Sequence, residues 1–163
     1  MRICSRALDG MTGHDAGRAL LQDMYREMTG DEMPVICVTD RGKPCFKDSP
    51  WHFSISHTRE RAFCALSEKP VGIDAEAQNR NVDLRLADKI LSYAERIRLA
   101  AAPDKRLTLL RFWVLKEAYA KATGRGWGSY LYQTDFDPWD PRVQETDGCL
   151  LAVIEEEENK YAV

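Results

Sequence analysis

Apolar positions recur at helical spacing in three stretches of the chain and alternate with polar ones in the short segments between them. Leu20, Leu21, Met24 and Met28 form a stripe along Ala16 to Met28, which predicts a helix with Asp15 as N-cap and Gly30 as its stop. Pro34 to Val38 predicts a short strand, closed by the turn residues Asp40-Arg41-Gly42-Lys43-Pro44. Phe53-Ser54-Ile55-Ser56-His57 alternates strictly, and Arg61 to Leu66 supplies a hairpin partner. Val71 to Glu76 predicts a further strand. Leu84 to Ala101 predicts a helix broken near Ser92, and Pro103-Asp104 opens a long helix that stops before Gly124-Arg125-Gly126. From Tyr130 onward the pattern turns to β, ending with Leu150 to Ile154, a Glu-rich turn, and Tyr161-Ala162-Val163. This mixed order predicts an α+β fold rather than a doubly wound sheet.

Acidic residues stand at two telling places in this pattern. Asp74 and Glu76 lie two apart in Val71-Gly72-Ile73-Asp74-Ala75-Glu76, so strand alternation points both carboxylates to one face. Trp113, Glu117 and Lys121 fall at i, i+4 and i+8 of the long helix, again on one face. If that face meets the strand, three carboxylates and a lysine surround one point. Such a set suits a hard divalent cation beside a phosphate.

Composition narrows the class. The chain has 163 residues and 44% hydrophobic content, enough for one domain or two small, closely packed lobes. No apolar run approaches the roughly 18 residues of a membrane span, and no signal-peptide core opens the sequence. Cys4, Cys37, Cys45, Cys64 and Cys149 are scattered without CxxC spacing, which predicts reduced thiols rather than a disulfide framework or zinc site. A soluble cytoplasmic protein with no membrane role is expected. The net charge of −3 argues against nucleic-acid binding. Its distribution is uneven: residues 80–125 hold eleven Lys/Arg against five Asp/Glu. A basic middle in an acidic chain suits an anionic ligand or an acidic partner, although a solvated helical face gives the same count.

Each motif alone is ordinary. Asp-x-Glu after a strand is commonly a surface loop, Glu117 and Lys121 make a plain i,i+4 ion pair, and Gly42-Lys43-Pro44 is a turn. His57 is a strand residue, and Trp113 a core one. In order, however, Gly-Lys-Pro, Phe-Ser-Ile-Ser-His, Val-Gly-Ile-Asp-Ala-Glu and Trp-Val-Leu-Lys-Glu-Ala-x-x-Lys closely resemble the phosphopantetheinyl transferases. The match is to the Sfp-type branch, in which a tryptophan precedes the Lys-Glu pair, and it runs from about Asp15 to Gly126 with a weaker echo beyond.

The resemblance implies transfer of the phosphopantetheine arm of coenzyme A to a serine of an acyl or peptidyl carrier protein, releasing adenosine 3',5'-bisphosphate. It implies Asp74, Glu76 and Glu117 as ligands of magnesium, with manganese as an alternative, and Lys121 as the pyrophosphate contact. Arg18, Lys43, Pro44, Ser56 and His57 become coenzyme A contacts. Glu95, in Leu91-Ser92-Tyr93-Ala94-Glu95, matches a glutamate proposed to deprotonate the acceptor serine; a water is the alternative base. The chemistry agrees, since a diphosphate repels an oxygen nucleophile until a cation offsets its charge. The family fold implies two similar α/β lobes related by a pseudo-twofold, here residues 1–74 and 75–163, with the ligand between them. Compared with longer relatives both termini look short. A monomer is expected, with Arg85, Leu86, Lys89, Ile90, Arg96 and Arg98 as contacts for an acidic carrier. A weakened coenzyme A-binding module and a magnesium-dependent phosphohydrolase are the alternatives, and a purely structural interaction protein is a third.

Overall fold

The computed structural model describes residues 1–156; the strand expected at Tyr161-Ala162-Val163 lies outside them. The chain opens with β1 (Arg2–Ala7) and α1 (Gly13–Thr29), followed by the hairpin β2 (Ile36–Val38) and β3 (Pro44–Phe46). Next come β4 (His52–His57), β5 (Arg61–Ser67) and β6 (Val71–Ala77), a 3₁₀ turn at Leu84–Leu86, α2 (Ala87–Ile90) and α3 (Tyr93–Ala101). The long α4 (Lys105–Thr123) leads to α5 (Tyr130–Gln133), β7 (Val143–Thr146) and β8 (Cys149–Glu155). The α+β class is as the pattern predicts. Among the described residues no helix is long and apolar enough to cross a membrane.

Two antiparallel three-stranded sheets form, ordered β1-β5-β4 and β6-β8-β7. In the first, α1 buries Leu20, Leu21, Met24 and Tyr25 against Phe46, Phe53 and Leu66. In the second, α4 buries Leu109, Phe112 and Leu115 with Leu150, Ala152 and Ile154. A third cluster, Phe63, Ala65, Val71, Ile73, Ala75 and Leu151, packs β5 against β6 and β8. The first sheet thus continues into the second through apolar contact. Asp74, where the sequence placed the division between halves, lies in the middle of the unbroken β6.

β4 and β6 meet through side chains rather than a backbone ladder. The Ile73 amide donates to Ser54 Oγ at 3.1 Å and the Ala75 amide to Ser56 Oγ at 3.2 Å. Buried amides require an acceptor, and the alternating serines of Phe53-Ser54-Ile55-Ser56-His57 supply it. α4 crosses β6 at Gly72, where a Cβ would stand 1.9 Å from Ala118 O and 2.4 Å from Ala122 N. Only a glycine admits the helix backbone this closely. The crossing sets Glu117 and Lys121 over the middle of β6.

Two local expectations need correction and one is met. The N-cap of α1 is Thr12, whose hydroxyl accepts from the Asp15 amide, so Asp15 lies inside the first turn. The stretch from Leu84 to Ala101 breaks at Ser92 as expected, where Ser92 caps α3 in a capping box with Glu95; a 3₁₀ turn and the short α2 precede it. The segment from Tyr130 begins as a helical turn before β7, with Leu131 buried beneath it.

Candidate functional site

At the β4–β6 seam, Asp74 is 5% exposed. Its Oδ1 accepts from Lys121 Nζ at 2.6 Å and Ser56 Oγ at 3.0 Å. Lys121 also donates to Ile73 O at 3.1 Å. The other carboxylate oxygen, Oδ2, is buried and has no hydrogen-bond partner. An unpaired buried carboxylate oxygen is costly, and calls for a donor or a cation. Burial pushes the Asp74 carboxyl above its ordinary range, against the opposing pull of Lys121 and Ser56.

Glu76 and Glu117 flank it. Glu76 is paired with Arg80, four residues on in the loop after β6, and Glu117 Oε1 accepts from Trp127 Nε1 at 2.8 Å. Both carboxyls are pushed up, first by burial; the negative charge of Asp74 adds to the shift in each case. Strand and helix bring Lys121 onto Asp74, and the Asp74 charge acts on both Glu76 and Glu117. They do not form a ready-made nest: among the described residues no three His, Cys, Asp or Glu side chains stand in metal-holding geometry. Each instead leans on its own donor, an ammonium, a guanidinium and an indole.

These residues fit a hard cation. Oxygen donors are the ligands magnesium takes, the Asp74 Oδ2 lacks a partner, and mutual repulsion among the carboxylates would be relieved by positive charge. A cleft of about 430 Å³ opens beside them, lined by Arg18, Arg41, Lys43, His57, Glu117 and Lys121 among others. Pro44 and Ser54 also face it, as does His14. Its shape follows from close packing: the His57 ring lies where a Cβ on Gly13 would stand 2.4 Å away. The first turn of α1 thereby sits directly on β4, bringing His14 and Arg18 to the cleft.

The expected site residues divide into three groups. Arg18, Pro44, His57, Glu117 and Lys121 line the cleft. Lys43 lines it too, but its ammonium donates to Ala122 O at 2.7 Å, at the C-terminal end of α4, where a cation is favoured. Burial pulls the Lys43 amine below its usual value. Ser56 faces Asp74 and the β6 amides, so it orients the carboxylate rather than reaching the cleft.

Glu95 requires correction. It is wholly buried and ion-paired with the equally buried Lys116 at 2.7 Å. Its Oε2 accepts from the Ser92 amide and its Oε1 from the Phe136 amide at 2.9 Å. Both oxygens are spent on holding the chain, and no face of this carboxylate is open to an incoming hydroxyl. Ser92-Tyr93-Ala94-Glu95 has the spacing of a capping box, the signal by which its structural role is legible.

Trp127, His14 and Arg41 were missed. Arg41 lies in the turn already recognised before Pro44, whereas Trp127 is an isolated aromatic in Gly126-Trp127-Gly128 with no periodicity to mark it. The carrier contacts are also qualified. Arg85 grips Asp83 through Nε at 2.9 Å, and Arg98 donates to Phe136 O at 3.1 Å. Arg111 and Lys116 are buried, so these two of the eleven basic residues in 80–125 serve the interior.

The family model of the 4'-phosphopantetheinyl transferase superfamily matches residues 70–161. The chain is similar to the 4'-phosphopantetheinyl transferase gsp of Aneurinibacillus migulanus, 39% identical over 87 residues, covering 52% of this chain and 36% of that protein. It is 34% identical over 115 residues to the 4'-phosphopantetheinyl transferase psf-1 of Bacillus pumilus, covering 68% and 49%. With the 4'-phosphopantetheinyl transferase HetI of Nostoc sp. it shares 35% over 121 residues, covering 68% and 51%. These matches span about half or less of each relative's length.

Proposed function

Because the chain belongs to the 4'-phosphopantetheinyl transferase superfamily, we propose that it moves the phosphopantetheine arm of coenzyme A onto a serine of an acyl or peptidyl carrier protein, releasing adenosine 3',5'-bisphosphate. The observation behind this is the unpartnered, buried Asp74 Oδ2 beside Lys121, at the edge of a cleft furnished with basic side chains.

In this proposal Asp74, Glu76 and Glu117 hold magnesium, which when bound offsets the charge of the diphosphate. Ser56 fixes Asp74 in place, and Lys121 turns its point charge toward a phosphate oxygen. Arg18, His14, Arg41 and His57 bind the remote nucleotide phosphate, which contributes affinity and orientation. Lys43 closes the end of α4 and so shapes the same wall. With Glu95 engaged in the interior, the proton of the acceptor serine passes to water in the open cleft. The two sheets, each with its long helix, act as two lobes with the donor at their seam, and an acidic carrier approaches from the side of α2.

Intact-mass measurement of apo-carriers incubated with the chain, coenzyme A and magnesium tests this. Gain of the phosphopantetheine mass, abolished by a chelator, is expected. Consumption of coenzyme A without carrier modification would instead identify a hydrolase and overturn the assignment.

A further inference from the structure

Among the described residues Glu117, unlike Asp74 and Glu76, has no ion-pair partner. Lys121 and Arg80 carry charge and answer Asp74 and Glu76 as ion pairs. The Trp127 indole is neutral, yet it holds Glu117 at 2.8 Å. It is 43% exposed and rests on Trp113 with ring centroids 5.3 Å apart at 30°. Its neighbours are Gly128 and Gly126, the latter at φ +67° with its carbonyl accepting from Tyr130 Oη at 2.5 Å. Trp127 is also the residue common to two clefts. One is the 430 Å³ cleft with Lys43, His57 and Lys121; the other is an apolar hollow of about 540 Å³ with Leu86, Ile90, Trp113 and Tyr132.

We propose that Trp127 is a positioning residue for Glu117, its indole N–H holding the carboxylate against the wall between the two clefts until a divalent cation takes it. The inference rests on the assignment of Asp74, Glu76 and Glu117 as cation ligands. A cation that takes Glu117 competes with the indole for the same carboxylate. A hydrogen bond from a neutral donor is the least costly of the three tethers to exchange, because no unpaired charge is left behind. The freed indole changes its surroundings, and the partition between the clefts changes with it.

Magnesium titrated into the full chain tests this, with tryptophan emission and calorimetry read in parallel. In the unaltered protein a saturable emission change should track the heat of binding. Trp127→Phe keeps an apolar wall but lacks the N–H; the emission change should vanish and the half-saturating magnesium concentration should fall at least threefold. A merely structural wall would weaken binding or leave it unchanged, and either result overturns the proposal. Glu117→Gln, which keeps an acceptor for the indole but loses the charge, should also silence the emission change; persistence there is a second contradiction. Trp139→Phe, remote from both clefts, should retain it. Calorimetric binding without any Trp127 signal refutes this inference alone. Absence of magnesium binding to the unaltered chain refutes the cation assignment beneath it, and this inference with it.

Discussion

At the scale of single residues, the site is defined by which buried polar atoms have partners and which do not. Asp74 has one oxygen satisfied twice and one not at all, whereas both oxygens of Glu95 are satisfied by protein. Opposite consequences are expected. Glu117→Ala should abolish magnesium-dependent transfer while the far-ultraviolet circular dichroism stays unchanged; retained transfer would remove Glu117 from the site. Glu95→Ala should leave Lys116 buried and uncompensated, costing about 3–5 kcal/mol of stability as read by urea unfolding. Where such a variant still folds at low temperature, the pH dependence of its turnover should match the parent's; a lost basic limb would restore Glu95 as the proton acceptor. Titration supplies a further check. The Asp74, Glu76 and Glu117 carboxyls are all raised, chiefly by burial. Raised carboxyls contribute stability that is present below the unfolded range and lost as pH rises through their folded values. Magnesium favours the ionised forms, so the increase in Tm that it produces should grow as pH rises above the ordinary carboxylate range. A pH-independent increase would contradict the assignment.

At the scale of elements, α4 laid across β6 determines the site, and Gly72 permits the crossing. Gly72→Ala would set a methyl group 1.9 Å from Ala118 O, with backbone rather than a yielding side chain in the way. Overpacking of this kind costs about 1–3 kcal/mol, and the displaced helix takes Glu117 and Lys121 with it. Calorimetry should show lost magnesium binding and thermal unfolding a lower Tm; unchanged values for both would mean that the helix tolerates the shift. The α4 stop at Gly124, the α1 stop at Gly30 and the alternation of β4 were legible because each follows from a local periodicity or a left-handed cap. β1 was not, since Arg2-Ile3-Cys4-Ser5-Arg6-Ala7 has little apolar content and forms only by pairing with β5, sixty residues away in sequence. The pairing of Asp74 with Lys121 was legible from two faces, one on a strand and one on a helix. The role of Ser56 was not, because strand alternation does not tell which buried neighbour a hydroxyl will find.

At the scale of the whole molecule, two sheets share an apolar seam and the chemistry lies along it. Phe63 and Ala65 on one side meet Val71, Ile73 and Leu151 on the other, while Ser54 and Ser56 bridge the polar strip above. Charge at this scale is less free than the sequence suggests. Arg85 is bound to Asp83 and Arg96 to Asp88 at 3.7 Å, so under the proposed function steering of an acidic carrier would rest mainly on the Lys89 rim of the apolar hollow. The Michaelis constant for the carrier should therefore rise only about two- to threefold between 50 and 300 mM salt, within the screening expected for a few exposed charges. A tenfold or greater rise would show a larger basic contact. The cation site itself is tested most directly by anomalous diffraction from a crystal grown with manganese and coenzyme A. A peak at about 2.0–2.3 Å from Asp74 Oδ2, with Glu76 and Glu117 turned to it and the diphosphate alongside, is the predicted result. Manganese bound elsewhere, with Oδ2 still unpartnered and coenzyme A in the cleft, would contradict the account.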